Sequence, residues 1–439
     1  MQSFLQLVAH DLYAKIGNDL SRTALIFPNK RANLFFNEYL AGESDQPIWS
    51  PAAMSISDLF QKLSVQKSGD PIRLVCELYK VFKEETQSQE TLDDFYFWGE
   101  LLISDFDDVD KNMVDADKLF SNLQDLKNLM DDYEFLDKEQ EEAIQQFFQN
   151  FSIERRTELK EKFISLWDKL GTIYHHYREN LTELGIAYEG MLYRNVIEQL
   201  DTDQLKYDKY IFVGFNVLNK VENEFFRKLK DAGKALFYWD YDIFYTQQIR
   251  KHEAGEFLKR NLGEFPNELP ESFFDTFKEP KKIRYISAST ENAQARFLPE
   301  WIKMITDNHS QIAEEKEKEN AVVLCNEALL LPVLHSIPQE VKNVNITMGF
   351  PLAQTPIYSF INAAMELQTN GYRSDTGRFT YEAVSAILKH PYTRQISSHA
   401  GPLERELTKT NRFYPLPSEL KQDDFLATLF TPRNGIKEL

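Results

Sequence analysis

Residues 210–240 carry the pattern that most limits the possible folds of this chain. A run of β-branched and aromatic residues, 210–215 (YIFVGF), has Gly214 near its end. This pattern is typical of a buried parallel strand. Residues 221–232 follow with a helical period, and Gly233 suits the helix C-terminus. A second apolar run, 235–240 (ALFYWD), completes β-α-β. Such crossovers build parallel sheets, so the sequence predicts an α/β fold.

Two further regions indicate the same kind of unit. Residues 23–40 (TALIFPNKRANLFFNEYL) read as a buried strand, a polar turn and an amphipathic helix, and a capped helix follows near Ser55 or Ser57. In the second half, strands are expected at 283–288, 321–325 and 345–347, separated by helices. We therefore expect two parallel-sheet units, with a boundary at the lysine-containing junction 278–284 (KEPKKIR).

The remaining regions show helical periodicity almost without strand signals. Residues 70–205 contain apolar stripes at helical spacing, and the chain is helical again from residue 358. The stripes comprise Leu74, Val75, Leu78, Val81 and Phe82; Leu119, Leu123, Leu126, Leu129 and Met130; and Phe163, Leu166, Trp167, Leu170, Ile173, Tyr174 and Tyr177. We expect each sheet unit to be interrupted by an all-helical insertion. The charge run 314–319 (EEKEKE) is typical of a solvated surface.

Composition limits the class of protein. The chain has 439 residues, enough for about three domains, and 42% hydrophobic residues, a globular composition. Its net charge of −19 repels phosphates, so any contact with nucleic acid is expected to be confined to a local site. Cys76 and Cys325 are too few for a zinc site or a disulfide framework, and we expect both to be buried and reduced. Without a signal peptide or an apolar span, a soluble, cytoplasmic protein is expected.

A phosphate-binding loop is missing from a chain whose strand–turn–helix units look like parts of a helicase-type ATPase. No G-x-x-x-x-G-K-[ST] motif occurs in the sequence. In that motif, clustered backbone N–H groups, a lysine and a hydroxyl group hold the phosphates and Mg²⁺. The pair Gly233-Lys234 is followed by Ala235, and Lys228 stands where the first glycine belongs. The sequence therefore predicts no nucleotide site.

The turn after the first strand is the strongest candidate for ligand binding. Lys30 and Arg31 lie between a strand and a helix, where open α/β sheets bind ligands at the carboxyl ends of their strands. A local positive patch is predicted if further basic residues come near them, namely Arg22, Lys281, Lys282 and Arg284. A solvated loop without a ligand is the alternative.

Carboxylates at the end of residues 235–242 are weak candidates for a metal site. Asp240 and Asp242 could hold Mg²⁺, as in nucleotide-hydrolysing folds or in sugar-nucleotide transferases, but no third acidic partner can be placed by spacing. A helix N-terminus or a polar exit from the sheet is the alternative. The acidic run 105–112 fails as a calcium loop, because Met113 and Leu119 take the glycine and glutamate positions. No cofactor is predicted.

Six segments, in order, resemble the N-terminal half of AddB-like proteins, the subunits of bacterial helicase–nucleases that join a superfamily 1 helicase-like body to a C-terminal PD-(D/E)XK nuclease. The resemblance spans most of the chain. The segments are 27–32 (FPNKRA), 97–110 (FWGELLISDFDDVD), 212–222 (FVGFNVLNKVE), 237–242 (FYWDYD), 344–351 (VNITMGFP) and 388–392 (LKHPY).

The resemblance implies two RecA-like units. Residues 1–60 and 205–282 would form helicase-like domain 1A, with 61–204 as helical insertion 1B. Residues 283–360 would begin domain 2A, and 361–439 would begin insertion 2B. The chain would then be part of a longer protein whose nuclease domain is not among these residues.

The functional expectation follows from the same resemblance. This region would bind and guide DNA during double-strand-break repair and recombination, dock to an AddA-like helicase subunit, and hydrolyse no ATP itself. By position, the DNA backbone contact would fall on Asn29, Lys30 and Arg31. A scaffold that contacts only proteins is the second hypothesis, and a metal-dependent transferase using Asp240 and Asp242 is the third.

Overall fold

The computed structural model describes residues 2–120, 169–247, 253–305 and 320–433. The chain divides into two compact units, Met1–Lys282 and Ile283–Leu439, and the division falls within the junction 278–284. Most of the apolar stripes at 119–130 and 163–177, and the whole charge run 314–319, lie outside the described residues.

The first unit combines a parallel sheet with many helices. Its strands are β1 (Thr23–Phe27), β2 (Ala52–Ser55), β3 (Lys67–Ser68), β4 (Ile186–Ala187), β5 (Lys209–Val213) and β6 (Ala235–Tyr238). The α-helices that lie wholly within its described residues are α1 (Phe4–Ile16), α2 (Ala32–Ala41), α3 (Ile56–Leu63), α4 (Pro71–Thr86), α5 (Leu92–Lys111), α6 (Leu170–Glu183), α7 (Glu189–Gln199), α8 (Lys220–Asp231), α9 (Ile243–Thr246) and α10 (Glu253–Glu264).

Four strands form the main sheet, in the order β2-β1-β5-β6, and every pairing is parallel. Ile26 of β1 lies opposite Met54 of β2 on one side and Phe212 of β5 on the other. The strand predicted at the start of residues 23–40 is confirmed as β1, and those predicted at 210–215 and 235–240 are confirmed as β5 and β6, which each end two residues earlier than predicted. The α/β class with a parallel sheet therefore holds for this unit.

The two faces of the sheet bury alternate residues of each strand, because side chains in a strand point to opposite faces in turn. Ala24, Ile26 and Phe212 pack against α8 and the helices that follow β2. Leu25 and Ile211 belong to a second core, which is formed with α1 and α2. Helices thus cover both faces of the sheet, which explains why its central strands are apolar throughout.

The helices α4, α5, α6 and α7 share one continuous core with a face of the sheet. Phe60 of α3 stacks on Tyr193 of α7, with ring centroids 4.1 Å apart and planes 14° apart. Phe60 also contacts Phe225 of α8, at a centroid distance of 5.1 Å. A short parallel pairing of β3 with β4, which periodicity did not predict, joins the chain just before α4 to the chain just after α6.

A buried carboxylate lies where α5, α6 and α7 meet. The side chain of Asp110 is fully buried and accepts hydrogen bonds from the hydroxyls of Tyr174 and Tyr188, each at 2.5 Å. The guanidinium of Arg178 binds the same carboxylate, and Nη1 of Arg194 lies 3.3 Å from it. Two positive charges and two hydroxyl donors therefore compensate the cost of burying this charge.

The second unit is largely helical in the residues that the structure describes. Its helices are α11 (Glu291–Arg296), α12 (Leu298–Ile305), α13 (Leu330–Ser336), α14 (Pro356–Thr369), α15 (Tyr381–Lys389), α16 (Pro391–Ile396), α17 (Ala400–Lys409), α18 (Pro417–Leu420) and α19 (Asp424–Leu429). A two-residue antiparallel pair joins β7 (Tyr372–Arg373) to β8 (Arg378–Phe379). Its larger core is formed by α14, α15, α17 and α19.

The strands predicted at 283–288, 321–325 and 345–347 are wrong for this structure. All three segments are irregular, and the described part of the second unit contains no parallel sheet. Most of their apolar side chains are exposed, including Tyr285 at 93% and Val323 at 85%, whereas Leu324 packs on a small core. Strand propensity reflects packing on a half-buried sheet surface, and no strand among the described residues supplies such a surface here.

Two cysteines are free, and the expectation of burial is wrong for one of them. Cys76 is half-buried in α4, whereas Cys325 is exposed. No helix within the described ranges is both long and apolar enough to cross a membrane.

Gly190 of α7 allows close contact with α5. A Cβ atom at this position would lie 2.4 Å from the backbone oxygen of Asp107, which cannot move without shifting the helix. We expect Gly190→Ala to lower the free energy of unfolding by about 1–3 kcal/mol through overpacking. Gly263→Ala is the matched control, because nothing lies within 4 Å of its added Cβ. Urea unfolding of both variants should show destabilisation for Gly190→Ala alone.

Asp110 should be the most sensitive charged residue in this unit. Replacing it with alanine leaves the two arginines without their buried counter-charge, so we expect Asp110→Ala to cost about 3–5 kcal/mol. Asp117→Ala, which removes an exposed carboxylate bound to His175, should cost no more than about 1 kcal/mol. Equal losses of unfolding free energy in the two variants would show that the buried network contributes little.

Candidate functional site

The order of the main sheet defines a position for ligand binding. From β1 the chain passes through α2 to β2 on one side, and later strands lie on the other side of β1. Helix α2 packs on one face of the sheet and α8 on the opposite face. The chain therefore changes direction between β1 and β5, and open α/β sheets bind ligands outside the carboxyl ends of such strands. Residues 28–31 and 214–219 border this position.

The loop after β1 places the predicted basic residues at this edge. The side-chain oxygen of Asn29 accepts a hydrogen bond from the backbone N–H of Arg31 at 3.1 Å, which closes a tight turn. The side chain of Lys30 is 76% exposed, and its Nζ lies 3.0 Å from Oδ1 of Asp58. Asn29 therefore shapes the loop, while the ammonium of Lys30 faces solvent beside one carboxylate.

Asp58 is a partner of Lys30 that sequence reasoning did not identify. It belongs to a capping box with Ser55 at the start of α3, directly after β2. Hydrogen bonds from Lys30 and then Ser55 lower the pKa of the Asp58 carboxyl. The sequence left Ser55 and Ser57 open as the cap; the structure selects Ser55. Because β2 lies beside β1, the adjacency of Lys30 and Asp58 follows from strand order, which the sequence alone did not give.

The start of α2 differs in its side chains from the starts of α3 and α8. Arg31 occupies the N-cap position without a side-chain cap, and the first turn contains no acidic residue. By contrast, α3 has Asp58 and α8 has Glu222 in the first turn. Free N–H groups at a helix start favour anions, so Lys30 and Arg31 add to a locally positive end.

The loop after β5 forms the other border of this position. Gly214 has φ +73°, a conformation that favours glycine, and a Cβ there would lie 3.7 Å from the ring of Phe4. Asn219 caps α8 in a box with Glu222, and burial raises the pKa of the Glu222 carboxyl. Val217 remains exposed between these residues.

The carboxylates that follow β6, Asp240 and Asp242, are not arranged as a pair of metal ligands. Both oxygens of Asp242 accept backbone N–H groups: Oδ1 from Phe244 at 2.8 Å, and Oδ2 from Thr276 at 2.9 Å and Phe277 at 2.8 Å. Desolvation opposes ionisation, but these bonds outweigh it and lower the pKa of Asp242. Asp240 is exposed, and partial desolvation raises its pKa. Asp242 therefore fixes the chain at the exit from the sheet.

Other metal candidates do not converge either. Residues 105–111 belong to the last turns of α5, so they form no calcium loop. His175 binds Asp117, whereas the neighbouring His176 binds Glu85. Within the described residues, no three side chains of His, Cys, Asp or Glu are placed to hold one metal ion.

Of the further basic residues considered for a positive patch, Arg22 lies away from Lys30. Arg22 precedes β1, at the opposite edge of the sheet, and forms a two-pronged pair with Asp208. Lys281 donates to the backbone oxygens of Phe277 and Glu279. Within the turn itself, the positive charge is carried by Lys30 and Arg31.

A serine–histidine pair in the second unit was missed by sequence reasoning. Oγ of Ser359 lies 3.0 Å from Nε2 of His390, while Nδ1 of His390 accepts the backbone N–H of Tyr392. Neutral histidine carries one ring proton, so Nε2 must be the donor and cannot act as a base toward Ser359. The pair ties α14 to the start of α16 and supports no hydrolase mechanism. His390 is the N-cap residue of α16.

No known family model matches this chain, and no curated protein matches it significantly.

Replacement of Asp242 tests whether this carboxylate serves as an acceptor for backbone N–H groups or as a metal ligand. We expect Asp242→Ala to lower the free energy of unfolding by about 1–3 kcal/mol, because three N–H groups lose their acceptor. The folded-state pKa lies below the unfolded value of about 3.9. The stabilisation is therefore present above that pH and is lost as the pH falls through the folded-state pKa. Thermal unfolding of both proteins between pH 7 and 3 should show the gap closing at acid pH.

The control is Asp240→Asn, which leaves the three N–H contacts of Asp242 intact and should change stability little. Addition of Mn²⁺ should leave the unfolding temperature of the wild-type protein unchanged. A Mn²⁺-dependent stabilisation that disappears in Asp240→Asn would instead support a metal-binding pair.

Proposed function

We propose that this chain is the non-motor, helicase-like region of a nuclease subunit that acts in DNA double-strand-break repair and recombination. It binds and guides DNA without hydrolysing ATP. The observation that carries this proposal is the exposed Lys30-Arg31 turn at the point where a parallel sheet changes direction, next to an uncapped helix start. The ordered resemblance to AddB-like proteins supports the same reading.

The chemistry of the turn favours a polymer backbone over a nucleotide. Residues 28–31 contain no glycine, unlike the glycine-rich loop that cradles the phosphates of ATP. Lys30 and Arg31 instead offer two cations on an open edge, which suits successive phosphates of a single strand. Asn29 positions the turn through its hydrogen bond to Arg31.

The acidic character of the rest of the chain confines such a contact. A net charge of −19 repels phosphate over most of the surface, so the strand is directed to the edge of the sheet where the positive residues lie. A weak, local contact is what a guiding role requires, because tight binding would hold the strand in place.

The remaining parts of the proposal come from the resemblance. By the resemblance, residues 283–360 correspond in position to the beginning of domain 2A and residues 361–439 to the beginning of insertion 2B, although the described part of this region contains no parallel sheet. An AddA-like helicase subunit supplies ATP hydrolysis, and a C-terminal PD-(D/E)XK domain supplies the nuclease. We assign no catalytic residue to the described residues.

Reversal of the two charges tests the DNA contact. We expect Lys30→Glu combined with Arg31→Glu to weaken binding of a single-stranded oligonucleotide at least tenfold in low salt. Loss of two phosphate contacts should also reduce the slope of log K against log salt by about 1.4 for a single strand. Fluorescence anisotropy of a labelled oligonucleotide across a salt series measures both quantities.

The matched control is Arg22→Glu with Lys206→Glu, which makes the same charge change at the opposite edge of the sheet and should affect binding much less. Equal losses in the two double variants would show that only net charge matters. Unchanged binding in the Lys30 and Arg31 variant would remove the proposed role of the turn.

A scaffold that contacts proteins but no nucleic acid is the second candidate. The pairing of Lys30 with Asp58 favours it, because the carboxylate partly neutralises the ammonium that DNA would use. This candidate requires that the wild-type chain show no oligonucleotide affinity at low salt while it still associates with a helicase subunit.

A further inference from the structure

The outer face of α5 exposes a cluster of large apolar side chains. Phe97 is 64% exposed, Trp98 60% and Leu101 44%. The rings of Phe97 and Trp98 meet edge to face, with centroids 6.0 Å apart. Their positions at i, i+1 and i+4 place them on one side of the helix. Aromatic side chains bury about 150–250 Å² each when covered, so this cluster leaves a large apolar area in water.

The packing of the opposite face prevents α5 from turning this cluster inward. Phe95 and Phe106 are buried beneath it, and Phe95 packs on Phe82 of α4 at a centroid distance of 4.6 Å. Gly99 allows α4 to approach, since an added Cβ would lie 2.9 Å from Val75. The exposed cluster is therefore a fixed feature of the surface.

Carboxylates surround the apolar cluster. Burial and then the nearby charge of Asp108 raise the pKa of Asp105, which shows how closely negative groups are spaced there. The only basic residue of the helix, Lys111, is bound by Asp107 at 2.8 Å and Glu189 at 2.6 Å. The α5 face comprises the apolar cluster and the exposed acids Asp93, Asp94, Glu100, Asp105 and Asp108.

This charge pattern selects among possible occupants. Negative rims repel DNA, anionic lipid and the same face of a second copy, since a two-fold dimer would place like charges together. Residues 121–168 of the chain contain twelve acidic and six basic residues, so their charge also opposes the α5 face. A partner with an apolar stripe and basic flanks complements both features.

We propose that the α5 face is the docking surface for a basic amphipathic helix of a partner protein. The apolar stripe of that helix covers Phe97, Trp98 and Leu101, with Trp98 as the central anchor. Its lysine and arginine side chains bind Asp105 and Asp108 at the rim. This surface is distinct from the DNA-binding turn, so the proposal does not depend on the one above.

A synthetic peptide tests the proposal on the full chain. The probe is a labelled amphipathic helix of about 18 residues, five turns, with leucines on one face and lysines on its flanks. A matched peptide carries glutamates in place of the lysines. We expect the basic peptide to bind at least tenfold more tightly than the acidic one. The variant Phe97→Ser with Trp98→Ser should weaken the basic peptide at least tenfold, as measured by fluorescence anisotropy.

Two control variants separate the α5 face from general surface effects. Leu34→Ser with Phe35→Ser removes another exposed apolar pair and should leave peptide binding unchanged. Asp105→Lys with Asp108→Lys should reverse the preference toward the acidic peptide, whereas Glu253→Lys with Glu256→Lys on α10 should not. Urea unfolding confirms that each variant remains folded.

Three results would overturn the proposal. The first is equal affinity for the basic and acidic peptides. The second is unchanged binding after Phe97→Ser with Trp98→Ser. The third is a wild-type dimer in analytical ultracentrifugation that the same variant converts to a monomer, because a second copy would then occupy the face.

Discussion

The first unit depends on the neutralisation of one buried charge. Asp110 has no access to water, and an isolated carboxylate there would cost several kcal/mol. Two arginines and two tyrosine hydroxyls from the next helices compensate it, so α5, α6 and α7 can assemble only in the arrangement that brings these groups together. Gly190 then allows α5 and α7 to approach closely, and α7 packs on α3 through the stacked rings of Tyr193 and Phe60.

How well the sequence predicted the fold depended on the neighbours of each strand. Periodicity and composition were sufficient for β1, β5 and β6, because each lies beside another apolar strand and under helices. The same apolar, β-branched character occurs at 283–288 and 321–325, yet those segments form no strands, and no strand of the described residues pairs with them. Local pattern thus indicates that a segment suits a sheet, whereas pairing depends on residues far away in the chain.

In the candidate site, too, the sequence predicted the local features but not the contacts between distant parts of the chain. A basic turn after a strand was visible in the sequence, and its place at the carboxyl edge of the sheet follows from the parallel order. Its charge partner Asp58 and the separation of Arg22 from Lys30 were not visible, because both depend on which strands lie side by side and in which direction they run. The role of Asp242 depends on backbone N–H groups from residues 276 and 277, which no side-chain motif reveals.

The core that the sheet shares with α4, α5, α6 and α7 limits how this unit can respond to a ligand. A hinge between sheet and helices would have to separate Phe60 from Tyr193 and expose aromatic surface to solvent, which is energetically unfavourable. The turn at Lys30 and the outer surface of α5 are therefore held at a fixed distance from each other within the first unit. Two macromolecules bound at these places would keep a set separation, and the protein would act by alignment instead of by a power stroke.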